Sequence, residues 1–308
     1  MINFLQKKIN LKPKETLIAI ILIVILGLYA YSNSLKAGFV WDDHLLTKRS
    51  LAIRDWSNLP KILTRNMYSD VLTESAFYRP LQAFTHMIDY SLWKLNPSGY
   101  HAINIFLHIL VSLGLYWLVN IIFKDKLLSF FTAILFLVHP IHTEAITYIS
   151  GRADPLALLF MLIAFIFYIK YLKTENMGAY LLIFLSYILA LLSKENSLIL
   201  PVLLVLYHFS FKKRIKLKAI MPFVILVTCY LGTRLILLKS ATIHIPKFSE
   251  ITARIPGFFA ALGNYLRLLV LPFGLHVDYG NKLFNFSHWK PLSGLIILVC
   301  LLAYAGKK

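Results

Sequence analysis

Two neighbouring carboxylates, Asp42 and Asp43, stand in the run Phe39-Val40-Trp41-Asp42-Asp43-His44, shortly after an apolar stretch that ends at Tyr31. Adjacent acids repel one another, and partial burial raises at least one pKa, so such a pair suits general-base work on a hydroxyl. Their side chains diverge by roughly 100° on a helix, or to opposite faces on a strand. They therefore divide the labour, one taking the proton and the other orienting it or the acceptor, and the reading favours Asp43 as the base. A solvated acidic turn is the competing reading. The flanking Phe39, Val40 and Trp41 weigh against it by holding the pair at a membrane surface.

A second cluster is His139-Pro140-Ile141-His142-Thr143-Glu144, followed by Gly151-Arg152-Ala153-Asp154-Pro155. His139, His142 and Glu144 have zinc-ligand chemistry, but Pro140 interrupts regular geometry. The preferred reading is a polar end of two helices, with Arg152 open to a phosphate or to Glu144 or Asp154. The third cluster, Ser193-Lys194-Glu195-Asn196, is either a plain charged turn or a cationic contact for an anionic lipid head group. His101, Asn104 and His108 form a polar stripe that suits helix packing. Cys229 and Cys300 lie inside apolar runs, so they offer neither a disulfide framework nor a thiolate metal site. No glycine-rich nucleotide loop is present.

The elements that must position these residues are membrane spans. Hydrophobic residues make up 58% of the 308 and charged residues 15%, with a mean hydropathy of +0.69, whereas a soluble domain carries about 25% charge. Apolar runs at 17–31, 102–123, 127–149, 155–172, 179–192, 198–211, 219–238 and 292–305 give about eight spans. The stretch 257–275 is a ninth candidate, but Asn264 and Arg267 fall in its middle, so an interfacial or re-entrant segment is favoured. The expected fold is an all-α polytopic bundle, read as a single membrane domain over 1–308. Its large outer loops are 36–100 and 239–291, and it contains no tetratricopeptide pattern. In the first loop, Leu81, Phe84, Ile88, Leu92 and Leu95 recur at helical spacing opposite Gln82, His86 and Asp89, as in an amphipathic helix on the membrane surface.

The net charge of +18, from 32 Lys and Arg against 14 Asp and Glu, sits at the ends of apolar runs, which the positive-inside rule explains without nucleic acid. Lys7, Lys8, Lys12 and Lys14 before the first span, Lys124 and Lys126, Lys170 and Lys173, the 212–218 cluster, and Lys307 and Lys308 mark alternate loops as cytoplasmic. The N-terminus is then cytoplasmic and the acid pair lies on the extracytoplasmic or lumenal side. Ala30-Tyr31-Ser32 offers a signal-peptidase pattern, but retention of the first span as an anchor is favoured.

Val40-Trp41-Asp42-Asp43, Tyr78-Arg79-Pro80-Leu81, Asn96-Pro97-Ser98-Gly99-Tyr100-His101, His139-Pro140-Ile141-His142-Thr143-Glu144-Ala145, Gly151-Arg152-Ala153-Asp154 and Ser193-Lys194-Glu195 occur in this order. Together they resemble the membrane domain of the transmembrane and tetratricopeptide-repeat-containing family. Val277-Asp278-Tyr279-Gly280 adds a weaker match. Family proteins continue through more membrane helices and repeat arrays.

The resemblance implies a glycosyltransferase C-type fold of eight or nine spans and protein O-mannosyltransferase activity. It implies a polyprenyl-phosphate-linked sugar, mannose, as donor, and a hydroxyl of protein Ser/Thr or of a lipid as acceptor. Asp42 and Asp43 become the catalytic signature. Arg79, Arg152 and Lys194 become candidates for donor phosphate or substrate, with His139, His142, Glu144, Asp154 and Glu195 as a supporting polar cluster. No cofactor is firmly implied, although a divalent metal is compatible. The rival readings are a non-catalytic assembly or transport subunit and a metal hydrolase built on His139, His142 and Glu144.

Overall fold

The computed structural model describes residues 13–67, 69–71, 77–215, 217–238, 247–276 and 283–306. The described residues are helical, without a strand among them. Twelve helices follow in order: α1 (Pro13–Tyr31), α2 (Leu59–Thr64), α3 (Pro80–Trp93), α4 (Pro97–Phe123), α5 (Lys126–Val138), α6 (Thr143–Thr147), α7 (Ala153–Thr174), α8 (Met177–Ser193), α9 (Leu200–Ser210), α10 (Leu217–Leu237), α11 (Phe248–Val270) and α12 (Trp289–Gly306). The Val277-Asp278-Tyr279-Gly280 motif, Lys7, Lys8, Lys12, Lys216, Lys307 and Lys308 lie outside the described residues.

Among the described residues, four helical segments are long and apolar enough to cross a membrane: Lys14–Lys36, Pro97–Phe123, Ile149–Thr174 and Leu217–Leu237. The bent pair Lys126–Val138 and Pro140–Thr147 makes a fifth if it counts as one span. The apolar runs read from the sequence all fall on helices, but Met177–Ser193, Glu195–Ser210 and Trp289–Tyr304 are shorter than a full crossing. Eight or nine full-length spans are therefore not confirmed among the described residues.

The chain divides into two compact units. One comprises the described residues of Met1–Val138 and His142–Thr242; the other comprises His139–Ile141 and those of Ile243–Lys308. In the first, α4 is central, packing against α1, α5 and α7, while α7 pairs with α8 and α10 packs on α8 and α9. Burial follows this order, since half of the apolar window of α4 is buried against 22% for α1 and for α10. The remaining faces of α1 and α10 carry exposed Leu, Ile and Val, as lipid-facing helices do.

Helix α3 is amphipathic as its spacing predicts, but its polar face points inward. Gln82, His86 and Asp89 are buried, while Leu92 and Trp93 are exposed. Gln82 and Asp89 of the polar stripe meet Ser150 and Arg152 on the 148–152 turn.

In the second unit α11 and α12 pack face to face, with Gly263 against Gly294, where a Cβ on Gly294 would collide with the Phe259 carbonyl. Small residues allow such backbone approach between membrane helices. Residues 257–270 of the 257–275 candidate form the carboxyl-terminal part of α11, which continues past Asn264 and Arg267. Those two side chains bond each other at 3.0 and 3.1 Å, and Arg267 also donates to the Phe273 carbonyl beyond the helix end.

Candidate functional site

The acid motif turns back on itself at Trp41, whose φ of +46° lies in the left-handed region. Bulky side chains rarely adopt it, and such outliers persist where surrounding structure enforces them. What enforces it here is Asp43. Its Oδ2 accepts from the Val40 N–H at 3.1 Å, and its Oδ1 accepts from the Ser150 N–H at 2.8 Å and the Ser150 hydroxyl at 2.6 Å. The Asp43 side chain is fully buried, and its carbonyl accepts a short bond from the Thr47 hydroxyl.

The neighbouring Asp42 is exposed, and its N–H donates to the Tyr148 hydroxyl at 3.2 Å. Burial and the nearby Asp42 carboxylate push the Tyr148 phenol up to about 12, so it remains a neutral anchor at physiological pH. The turn at 40–43 thus points one carboxylate into the protein and the other out of it. Phe39 packs into a small core with Tyr100 and Ile149, while Val40 and Trp41 stay exposed.

Arg152 organises the 148–152 segment from below. Its side chain is fully buried, ion-paired with Asp89, and donates to Asn104 Oδ1 at 2.7 Å and to the Tyr100 carbonyl at 3.0 Å. Its partner is therefore Asp89, not Glu144 or Asp154, and its guanidinium is committed to internal partners. Burial raises the Asp89 carboxyl while Arg152 opposes that rise. Asn104 completes the frame by donating to the carbonyls of Ile146, Tyr148 and Ile149 at 3.1 to 3.4 Å. Gly151 is required because a Cβ there would sit 2.9 Å from the Glu144 carbonyl oxygen.

The other cations are only partly covered. Lys194 pairs with Asp154 at 2.6 and 2.7 Å, and Arg79 pairs bidentately with Glu195 at 2.6 and 3.0 Å. His142 packs on Phe136 and lies 5.6 Å from the His108 ring, centroid to centroid, and His108 Nε2 lies 3.0 Å from the Leu137 carbonyl. Glu144 is exposed. His139 belongs to the second unit, where its Nε2 lies 3.2 Å from the Leu269 carbonyl. Among the described residues no group of three or more His, Cys, Asp or Glu is placed to share a metal ion.

Ser150, Tyr148 and Asp89 are functional neighbours that motif reading passed over. Asp89 was visible as part of the Gln82, His86, Asp89 stripe, whereas nothing in the sequence pairs Ser150 with a residue 107 positions away.

This geometry defines a polytopic helical protein that presents an acidic loop on a rigid polar scaffold. The chain belongs to the dolichyl-phosphate-mannose-protein mannosyltransferase family, whose profile matches residues 82–236. It is similar to human protein O-mannosyl-transferase TMTC1, 40% identical over 153 residues, covering 48% of this chain and 17% of that protein. Human TMTC2 is 32% identical over 206 residues, covering 64% and 24%, and mouse TMTC2 is 29% identical over 328 aligned positions, covering 92% and 38%. The matches thus span under two fifths of these relatives' lengths. No solved structure matches. The resemblance carried by the motifs is borne out, and the chain is an integral membrane protein.

Proposed function

We propose that this chain transfers a sugar, mannose by analogy with its relatives, from a polyprenyl-phosphate donor to a hydroxyl of protein Ser or Thr. The exposed Asp42 acts as general base. It takes the hydroxyl proton while the oxygen attacks the anomeric carbon, and the bond from that carbon to the phosphate oxygen breaks with its electron pair leaving on the polyprenyl phosphate.

Asp43 does not face the acceptor in this reading. With three hydrogen bonds received in the interior, it fixes the loop, which reverses the order favoured from sequence. Lys194, paired with a half-exposed Asp154, is the cation we place at the departing phosphate, with Arg79 beside Glu195 as a further candidate. Arg152 serves the scaffold. The work is done by one membrane domain of the glycosyltransferase C type with its acid loop on the extracytoplasmic face. The shorter apolar helices complete eight or nine crossings, and the exposed Leu92 and Trp93 of α3 face lipid.

The observation that carries this reading is the split pair, one carboxylate exposed and its neighbour buried and bonded. The test is transfer of label from radiolabelled polyprenyl-phosphate mannose to protein. Asp42→Asn should lower turnover roughly 10²- to 10⁴-fold with folding intact; a near-normal rate would remove the base and favour a non-catalytic subunit. Impermeant thiol labelling of single cysteines at Ser57 and Ser210, both exposed, should come from opposite sides of the membrane.

A further inference from the structure

The three ion pairs among the described residues engage Arg79, Arg152 and Lys194. Three other cations, Lys48, Arg54 and Lys94, are exposed on the first loop and belong to none of these pairs. Aromatic rings gather them. Arg54 donates to the Lys48 carbonyl at 2.6 Å, and its guanidinium lies over the Tyr90 ring, 5.7 Å from the centroid. The Lys94 ammonium lies over the same ring at 5.2 Å. Lys48 stands 5.6 Å from the centroid of Phe39, which packs on Tyr100, and the Tyr100 hydroxyl donates to the Lys94 carbonyl at 2.8 Å. Lys94 is held there at a φ of +52°, a left-handed conformation that a residue with a side chain seldom adopts.

Ring faces attract cations but carry no net charge, so three positive charges stand together without a carboxylate to neutralise them among the described residues. Asp55, beside Arg54 in the chain, accepts from the Ser57 N–H at 2.9 Å and has Lys61 as its charged neighbour. Like charges held together repel, and an incoming anion removes that cost. In the proposed orientation this loop is extracytoplasmic, where the positive-inside rule supplies no reason for cations. The cluster is also joined to the acid loop, since Phe39 opens the run that holds Asp42, and Lys48 lies in the helical turn His44–Arg49 directly after Asp43. At a helical rise of about 1.5 Å per residue, Lys48 stands on the order of 10 Å along the chain from Asp42. An extended polypeptide covers that in about three residues.

We propose that Lys48, Arg54 and Lys94 form a docking surface for an acidic segment of the acceptor polypeptide, which brings its Ser or Thr to Asp42. The proposal rests on the glycosyl-transfer reading for the acceptor and adds to it the class of sequence that is selected. Lys48 stands on a different ring from Arg54 and Lys94, a layout that a run of carboxylates spans more readily than one head group. Accessible charges of this kind govern encounter and choice of partner more than the chemical step, so the effect falls on KM for the acceptor and leaves kcat in place.

The test uses the full chain in phosphatidylcholine nanodiscs and three fluorescent peptides, each with one Ser and one Thr flanked by Glu and Asp, by Gln and Asn, or by Lys. Anisotropy without donor should show the acidic peptide binding about tenfold more tightly than the neutral one, with the preference shrinking as salt rises. Lys48→Gln, Arg54→Gln and Lys94→Gln should each reduce the preference about threefold, the scale of one exposed charge. The triple variant should abolish it at an unchanged unfolding midpoint, and Arg54→Lys should keep it. Bound acidic peptide should also shield Lys48 and Lys94 from acetylation, read by mass spectrometry. Acidic and neutral peptides that bind alike, or a triple variant that keeps the preference, would overturn the proposal. Shielding of the two lysines by phosphatidylglycerol in the disc but not by the acidic peptide would overturn it too, and give the surface to lipid. Transfer from polyprenyl-phosphate mannose is measured in parallel. A wild type that docks the acidic peptide but labels none of the three counts against the glycosyl-transfer reading alone, whereas labelling with the same acceptor KM for acidic and neutral peptides counts against the docking surface alone.

Discussion

Arg152 and Lys194 flank the same helical hairpin, one preceding α7 and the other following α8, yet they sit in opposite environments. The Arg152–Asp89 side chains are 0% and 3% exposed, whereas those of Lys194 and Asp154 are 19% and 45% exposed. Inside, each charge has lost its water and is tolerable because Arg152 and Asp89 pair with each other and Arg152 also donates to Asn104 and the Tyr100 carbonyl. At the rim, water remains an alternative partner, so the pair can open without an orphaned charge. Lys194 also caps the carboxyl end of α8, and Asp154 lies in the first turn of α7, where the helix dipoles favour those signs. An interior pair suits architecture, and a rim pair suits exchange with a ligand.

The sharpest way to break this comparison is to remove one interior partner. Arg152→Met leaves Asp89 buried without its cation and should cost about 3 to 5 kcal/mol, read as a fall in the detergent unfolding midpoint and in folded yield. Adding Asp89→Leu should recover much of the loss, because two apolar groups need no solvation. Failure of the single variant to destabilise would place the pair at the surface.

Next in size is Gly151→Ala. Its methyl would press on the Glu144 carbonyl and the Ala145 backbone, at about 1 to 3 kcal/mol. The turn that carries Ser150 would shift with it. Turnover should therefore fall together with the unfolding midpoint.

The pH dependence is smaller and follows from His86. Its folded-state pKa lies well below the ordinary 6.5, so below pH 6.5 the unfolded chain binds a proton that the folded chain refuses. Stability should fall as pH drops from about 6.5 toward the depressed folded value, with a slope of up to about 1.4 kcal/mol per unit. His86→Gln should flatten that part of the profile. An unchanged slope would mean another group titrates.

The smallest effect is expected at the rim. Lys194→Gln should alter stability by less than about 1 kcal/mol while weakening use of a phosphate-linked donor. Equal loss of folding in Lys194→Gln and Arg152→Met would erase the distinction between the two environments.

The helices were legible because each apolar run has the length and composition that a bilayer demands, and nothing but backbone pairing within the segment can satisfy its amides. Reading α3 as amphipathic was equally local, since Leu81, Phe84, Ile88 and Leu92 repeat with the helix. Which face it buries was not local. A hydrophobicity pattern lays the apolar stripe on the membrane surface and leaves the polar stripe to water, whereas Gln82 and Asp89 are buried against Ser150 and Arg152. The same limit applies to Arg152, which reads as a surface cation at a span end until Asp89 appears beside it.

Sequence alone determined that this chain is a helical membrane protein, which segments are apolar, and that a pair of adjacent acids follows the first of them. Those properties depend on residue type and on spacing along one chain. Tertiary structure alone decided that Asp43 is buried against Ser150 and Asp42 is exposed, because that choice rests on partners over a hundred residues away. Two identical side chains on consecutive residues cannot be told apart by composition. The left-handed turn at Trp41 and the hydrogen bonds from Ser150 make them different.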